Sequence, residues 1–344
     1  MSSDSKKLLQ VRESIPDGLL DCDVADLHNL LEGPTLIHLR GRRPEPLFIS
    51  VLLHGNEPVG MQAVQALLKR YVAKQLPRAL SIFIGNVSAA RIGMRRLDGQ
   101  ADYNRVWSEG TGAEHEMTSR IVEIMRERNI FASIDVHNNT GLNPHYACIN
   151  RLDNQFLRLA MNYSRTVVYF TKPEGVQSKA FATLCPSTTI ECGQPGQAHG
   201  VEHAAEYLDA VLNMAGLTDR PVNKQDIDIV QTLAIVKVPH SVSFSFDSDD
   251  EDVDLCFSKD LDHMNFSELP IGTVIAKVKN GSDVLLHAMD ANGEDRASEY
   301  FDVQDGKLCT KQTILPSMLT LNEKVIRQDC LCYLMESISV PERL

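Results

Sequence analysis

Short apolar runs alternate with helical patterns through the first two thirds of the chain, and this alternation constrains the fold more than any other feature. The nearly continuous apolar runs at residues 46–53, 79–85 and 130–136 have the length of buried strands. Between them, apolar residues return at helical spacing, at residues 59–72 and 114–127. Strands that alternate with helices in this way predict an α/β domain with a parallel or mixed central sheet.

The pattern changes once this alternation ends. From about residue 222 onward, runs such as residues 233–238 and 273–278 are short, β-prone and separated by Gly, Pro and Asn, which is typical of a β-rich domain. A chain of 344 residues also exceeds the size at which a single hydrophobic core usually stops growing. We therefore expect two domains, an α/β domain over residues 1–220 and a smaller β-rich C-terminal domain over residues 221–344.

The charge balance narrows the class of partner. Lys plus Arg total 34 and Asp plus Glu total 46, which gives a formal net charge of −12. Such a surface repels phosphate backbones and anionic lipid, so we expect no nucleic-acid partner and no membrane partner. No signal peptide is apparent, and the scattered cysteines favour reduced thiols over a disulfide framework. We expect a cytoplasmic protein, and the sequence leaves open whether it forms a homo-oligomer.

Three candidate metal ligands follow predicted strands. His54 and Glu57 lie in His-Gly-Asn-Glu directly after the run at 46–53, and His137 ends the run at 130–136. Because sites in open α/β sheets form outside the carboxyl ends of strands, we expect these three side chains to converge. Two imidazoles and a carboxylate are the ligands of many catalytic zinc sites, which leave one position for water. The alternative is that each histidine is an ordinary hydrogen-bonding residue at the end of a strand.

Further polar residues can supply the rest of a hydrolytic site. Glu191 ends another predicted strand and can act as the general base that takes a proton from metal-bound water. Asp135 lies two residues before His137 and either orients that ligand or is a plain structural carboxylate. Asn104 and Arg105, with two arginines just upstream, suit an oxyanion and a substrate carboxylate, because a guanidinium group matches carboxylate geometry.

Four sequence blocks follow one another between residues 46 and 200. They are H-G-N-E-P, then G-x-R with D-Y-N-R, then D-V-H-N-N-T-G, and finally T-I-E-C-G. In this order they resemble the succinylglutamate desuccinylase/aspartoacylase family, which belongs to the zinc carboxypeptidase superfamily. The resemblance implies a zinc-carboxypeptidase-like three-layer α/β/α domain with a mixed central sheet, plus a smaller β-rich C-terminal domain. It also implies one zinc ion per chain, held by His54, Glu57 and His137, with Glu191 as the catalytic base.

The resemblance also assigns the substrate-binding residues. Asn104 and Arg105 would contact a substrate carboxylate, and the arginine that polarises the scissile carbonyl would be Arg95 or Arg96, of which we favour Arg96. The chain departs from the family most clearly at its substrate-binding positions. The second substrate-binding arginine of aspartoacylases, about ten residues before the catalytic glutamate, is replaced here by Phe181. The tyrosine expected near the C-terminal end is also not evident. The resemblance therefore implies the chemistry of the family and not the substrate of either enzyme that names it.

These residues predict a zinc metallohydrolase. The leading interpretation is a deacylase or amidohydrolase that cleaves a small N-acyl amino acid or a similar carboxylate-bearing amide, and the same groups would also attack an ester. A zinc carboxypeptidase that acts on short peptides is the second interpretation. The third is a metal-binding protein that senses a ligand with little catalysis, although the presence of Glu191 favours an enzyme.

Overall fold

The structure, a computed structural model, describes residues 8–246, 252–279 and 286–339. The chain divides into two compact units. The first comprises Met1–Asn138, His145–Asp228 and Ser339–Leu344, and the second comprises Asn139–Pro144 and Ile229–Ile338. Because compactness alone does not establish that a unit folds independently, the predicted domain boundary after residue 220 stays a prediction.

The first unit contains a mixed sheet. Its strands lie in the order β1-β2-β4-β3-β5-β8-β6-β7. The four central strands, β4, β3, β5 and β8, are parallel to one another, whereas β2 pairs with β4 and β6 pairs with β8 in the antiparallel sense. The bounds are β1 (Gln10–Arg12), β2 (Thr35–Leu39), β3 (Gly41–Val51), β4 (Leu76–Ile84), β5 (Ala132–His137), β6 (Tyr146–Ile149), β7 (Thr166–Tyr169) and β8 (Ser187–Glu191).

Helices cover both faces of this sheet. On one face, Phe48 and Phe83 pack in a core with Ile121 of α3. On the other face, Gly60 of α1 lies against Val136 of β5 so closely that a Cβ atom there would meet the valine side chain at 3.0 Å. The helices are α1 (Val59–Lys69), α2 (Val87–Ala90), α3 (Ala113–Glu127), α4 (Asn154–Met161), α5 (Gln177–Phe181) and α6 (Ala198–Asn213), with short 3-10 turns at Val24–Asn29 and Lys224–Asp226.

The second unit is built mainly from strands. Strand β9 pairs with both β13 and β17, which in turn pairs with β16, all in the antiparallel sense. A separate five-stranded sheet has the order β10-β11-β12-β15-β14. The elements are β9 (Asp228–Lys237), β10 (Phe244–Ser245), β11 (Leu255–Phe257), a 3-10 turn (Leu261–Met264), β12 (Val274–Val278), β13 (His287–Asp290), α7 (Ala297–Tyr300), β14 (Phe301–Gln304), β15 (Lys307–Thr310), β16 (Leu315–Ser317), α8 (Glu323–Gln328) and β17 (Cys332–Ile338).

The predicted fold class is confirmed. Continuous apolar runs became strands because both faces of the first sheet are covered, and every residue of β5 is buried. The short, β-prone runs of the last third, which Gly, Pro and Asn separate, became the short strands of the second unit. All eight cysteines are free thiols, in keeping with the expected reduced state.

Among the described residues, no helix is both long enough and apolar enough to cross a membrane. Residues 1–7, which contributed to the predicted cytoplasmic location, lie outside the described residues. That location therefore stays a prediction.

Candidate metal centre

The turn that follows β3 places two of the predicted ligands side by side. The Glu57 backbone nitrogen donates to the His54 carbonyl oxygen at 3.2 Å and closes the turn. A Cβ atom on Gly55 would lie 2.2 Å from the backbone nitrogen of Ala90, so glycine is needed where the turn meets α2. Helix α1 begins directly after Pro58, which suits the first turn of a helix because proline has no N–H to satisfy.

The three predicted ligands meet in one buried group. The Nδ1 atom of His54 lies 2.8 Å from Oε1 of Glu57, and the Nδ1 atom of His137 lies 2.6 Å from Oε2 of the same carboxylate. Ligand atoms of all three residues lie within 4.8 Å of one another, and all three residues are buried. Convergence follows from the topology, because β3 and β5 are parallel neighbours whose carboxyl ends lie together.

A second carboxylate holds the other nitrogen of each imidazole. His54 Nε2 lies 3.0 Å from Oδ1 of Asp102, and His137 Nε2 lies 2.7 Å from Oδ2 of Asp135. Asp135 is itself oriented by the Ser50 hydroxyl, which donates to its Oδ1 at 2.6 Å. Such outer carboxylates fix the tautomer and the orientation of metal-binding histidines, so both rings are set to present Nδ1 inward.

Charge in the cluster is balanced between imidazoles and carboxylates. Burial alone would lower the pKa of His54, but the carboxylates of Glu57 and Asp102 outweigh it and raise that pKa. The same competition, with Asp135 and Glu57 as the carboxylates, raises the pKa of His137 well above its ordinary value. Burial would raise the pKa of Glu57, yet the two imidazoles hold it low. Metal binding needs the lone pairs of both Nδ1 atoms, so an ion would compete with protons for them.

The residues present fit a divalent metal ion. Two imidazole nitrogens and one carboxylate match the protein ligands of catalytic zinc sites, and other first-row metals accept the same donors. Across the described ranges 8–246, 252–279 and 286–339, this is the one group of three such side chains with the geometry to hold a metal. The chain could therefore hold one ion at this place.

The predicted general base lies beside the cluster. Glu191 ends β8 and is the register partner of His137 on β5. Register partners on parallel strands point to the same face, and neighbouring strands lie about 4.8 Å apart. The Tyr163 hydroxyl donates to the backbone carbonyl of Glu191 at 3.2 Å and so anchors the end of the strand. Glu191 is itself buried.

The two candidate arginines have different partners. Arg95 is buried and contacts Oδ2 of Asp102 through Nε at 3.1 Å and Nη2 at 3.0 Å. Through this carboxylate it supports His54. Arg96 is only partly buried, and its Nη1 atom donates to the Gln100 carbonyl oxygen at 2.8 Å. The structure thus gives Arg95 a place behind a ligand and leaves Arg96 with a backbone contact.

The predicted substrate-binding pair makes contacts within the protein. The Asn104 Nδ2 atom lies 3.1 Å from His137 Nε2, and its Oδ1 atom accepts from the Gln177 backbone nitrogen at 2.9 Å. Arg105 is partly buried, and its Nη1 donates to the Asn104 carbonyl oxygen at 2.8 Å. Both residues are near the cluster, and their contact with a substrate carboxylate stays a prediction.

Comparison with known proteins identifies the fold. No protein-family model and no curated protein matches the sequence. The succinylglutamate desuccinylase from Chromobacterium violaceum has a TM-score of 0.56 and 16% identity, with 88% of this chain and 87% of that chain covered. The succinylglutamate desuccinylase/aspartoacylase from Rhodobacter sphaeroides has a TM-score of 0.57 and 13% identity, with 88% of each chain covered. Murine aminoacylase 3 has a TM-score of 0.55 and 16% identity, with 87% and 98% covered.

The chain has the succinylglutamate desuccinylase/aspartoacylase fold. The resemblance predicted from the four sequence blocks is therefore confirmed at the level of the fold. Identities this low establish a shared architecture and not a shared activity.

Within the desuccinylase/aspartoacylase fold, Asp102, Ser50 and Tyr163 support the site without a role predicted from the sequence. Asp102 was noted only as the first residue of the D-Y-N-R block, although it holds both His54 and Arg95. Tyr163 carried no signal, because its contact with β8 crosses 28 residues of sequence. An acidic residue that opens a block of polar residues between two metal ligands is the signal that would have found Asp102.

Proposed function

We propose that the chain is a zinc-dependent hydrolase that removes the acyl group from a small N-acylated amino acid or a similar carboxylate-bearing amide. The observation that carries the proposal is the buried group of His54, Glu57 and His137, in which both Nδ1 atoms face one carboxylate. The names of proteins with the same fold, succinylglutamate desuccinylase and aminoacylase 3, support a deacylase. The cytoplasm is the proposed location.

In this proposal the ion is held by the Nδ1 atoms of His54 and His137 and by the Glu57 carboxylate. Bound zinc supplies a Lewis acid for the substrate carbonyl and lowers the pKa of water. The carboxylates of Asp102 and Asp135 keep the Nε2 protons in place, so that each ring offers its Nδ1 lone pair. Replacement of either carboxylate by an amide would loosen this assignment without removing a ligand.

Glu191 is the proposed general base. Its carboxylate accepts the proton from the attacking water and returns it to the nitrogen of the leaving amine, which completes amide cleavage. An ester leaving group would accept the same proton on oxygen. The register position beside His137 supports this role, because a carboxylate on the same face one strand away is within reach of a water at the cluster.

Arginine and asparagine side chains complete the proposed site. Arg96 is the better candidate to polarise the scissile carbonyl, because Arg95 is committed to Asp102 through two nitrogens. Asn104 and Arg105 would bind the carboxylate of the substrate. For Asn104 this requires that its Nδ2 donor exchange the contact with His137 Nε2 for one with the substrate carboxylate.

Metal content and amine release, measured together on the purified protein, test the proposal. The substrate panel holds N-acetyl and N-succinyl amino acids together with dipeptides. We expect about one zinc per chain, lost in His54→Ala and retained in Glu191→Gln. Amine release should be absent in His54→Ala and reduced by about 10²–10⁴-fold in Glu191→Gln. Release of a free amino acid from dipeptides alone would identify a carboxypeptidase instead. A wild-type protein without metal after incubation with zinc would refute the proposal.

A further inference from the structure

A polar cavity lies in the first unit, at the amino ends of the strands. Its volume is about 460 Å³, within the range of small-molecule sites. Arg43 near the start of β3, Phe131 just before β5 and Pro186 just before β8 line it. These are the strands whose carboxyl ends lead to the metal cluster. Strand β5 alone has 6 residues, so about 20 Å separates the two sites.

Two guanidinium groups meet at this cavity. Arg43 on β3 and Arg78 on the parallel strand β4 are register partners, so their side chains leave the sheet on the same face, and both line the cavity. Like charges placed opposite each other on neighbouring strands are unfavourable. Glu45 is the acidic residue among the lining side chains, with its Oε2 atom 3.9 Å from Arg78 Nη1. Two positive charges therefore face one negative charge.

Part of this arrangement is explained by the end of helix α6. Arg43 Nη1 donates to the Met214 carbonyl oxygen at 2.6 Å, and Arg78 Nη2 donates to the same oxygen at 3.0 Å. Basic side chains commonly bind the last carbonyl groups of a helix. Carbonyl oxygens satisfy donors but carry no full charge, so they leave the excess positive charge in place.

Arg78 retains a donor that the helix end does not use. The side chain is only 2% exposed, and its Nε atom has no hydrogen-bond partner within the described part of the chain. The ring of Phe131 packs against the guanidinium group, with Cζ 3.6 Å from the ring centroid, which fixes the plane of the group. Burial and the charge of Arg43 lower the pKa of Arg78. A negative charge in the cavity would stabilise the charged form of Arg78 against burial and against the charge of Arg43.

We propose that this cavity binds a small organic monoanion that joins a carboxylate to an apolar body, with the carboxylate at Arg43 and Arg78. One net positive charge among the lining side chains selects a monoanion over phosphate. A guanidinium pair suits a carboxylate geometrically. Ile130, Phe131 and Leu217 supply the apolar walls for the rest of the molecule. The inference is independent of the proposed hydrolase, because none of these residues belongs to the metal cluster.

Methyl NMR on the metal-loaded full chain tests the site directly. Ile130 lines the cavity, and its methyl signal can be assigned with Ile130→Val. Benzoate is the probe, and benzamide is its neutral isostere. We expect benzoate to shift the Ile130 methyl signal saturably. Benzamide should bind at least about tenfold more weakly, because it lacks the charge-assisted hydrogen bonds.

Two arginine variants provide the comparison. Arg43→Gln is the main variant, because Arg43 is less buried than Arg78 and its replacement is less disruptive to folding. We expect it to weaken benzoate binding by roughly tenfold or more. Arg42→Gln is the matched control, since Arg42 is exposed and is not among the lining residues, and it should bind like wild type.

Four results would overturn the proposal. The first is an Ile130 signal that does not respond to benzoate. The second is an equal response to benzamide, and the third is an unchanged affinity in Arg43→Gln. The fourth is a response confined to Ile190, next to Glu191, which would place benzoate at the metal cluster. That fourth result would leave the hydrolase proposal intact, so the two proposals fail separately.

Discussion

The two ends of the central strands bury charge in opposite ways. At the carboxyl ends, each imidazole nitrogen of His54 and His137 faces a carboxylate oxygen. At the amino ends, Arg78 lies 3.9 Å from the Glu45 carboxylate, and Arg43 and Arg78 both contact carbonyl oxygens. Buried charges are costly unless they are paired. The first end pairs its imidazoles with carboxylates in a group that could hold a cation. The second end holds excess positive charge, which suits an anion.

The largest effect at the carboxyl ends is expected for Glu191→Gln. The amide cannot accept a proton, so we expect kcat for amide cleavage to fall by about 10²–10⁴-fold, with zinc content unchanged. Steady-state kinetics and elemental analysis on the same preparation measure both quantities. Glu202→Gln is the control, because Glu202 is an exposed carboxylate on α6. Loss of zinc in Glu191→Gln would contradict a role as base and indicate a role in metal binding.

The outer carboxylates should have the next largest effect. We expect Asp102→Asn and Asp135→Asn each to weaken zinc binding by about 10–100-fold, because the Nε2 protons lose their ionised acceptors. Competition with a chromogenic chelator measures the affinity. Asp98→Asn in the same loop as Asp102 is exposed and should retain wild-type affinity. If both outer variants bound zinc normally, orientation of the rings would come from packing alone.

The sequence predicts the residues at the carboxyl ends of the central strands better than those at the amino ends. His54 and Glu57 are three residues apart and follow an apolar run, so the local pattern identifies them and the topology adds His137. Arg43 and Arg78 lie in separate strands, and only the register of β3 with β4 brings them together. Asp102 is an intermediate case: the sequence identifies its D-Y-N-R block but not its contact with His54. What periodicity and short motifs cannot predict is the pairing of side chains across strands.

Arg78→Met tests the charge at the amino ends of the strands, and its expected effect is smaller. Loss of the guanidinium group removes the donors that Arg78 gives to the carbonyl oxygens of Glu45 and Met214. We expect the free energy of unfolding to fall by about 2 kcal/mol. Urea denaturation monitored by circular dichroism measures the change. Arg42→Gln should stay within about 0.5 kcal/mol of wild type. An unfolding free energy that rises in Arg78→Met would mean that the excess charge costs more than its hydrogen bonds contribute.

The smallest expected effect concerns a buried histidine outside both sites. His38 on β2 is buried, and its Nδ1 atom lies 2.8 Å from the hydroxyl of Ser81 on β4. Burial, helped by the charge of Arg128, lowers the pKa of His38 from 6.5 to about 4. The unfolded chain therefore binds this proton more readily than the folded chain. Its contribution to stability is complete above the unfolded pKa and is lost as the pH falls toward the folded value.

Between pH 6.5 and 5.5 this linkage lowers the free energy of unfolding by about 1 kcal/mol. The measurement is the difference between wild type and His38→Gln, which carries no titrating group, in urea titrations at both pH values. We expect the wild type to lose more stability than the variant over that interval. His240→Gln, at an exposed position, provides the control and should lose stability as the wild type does. Parallel losses in wild type and His38→Gln would mean that His38 is protonated in the folded protein, with its charge met by Glu13.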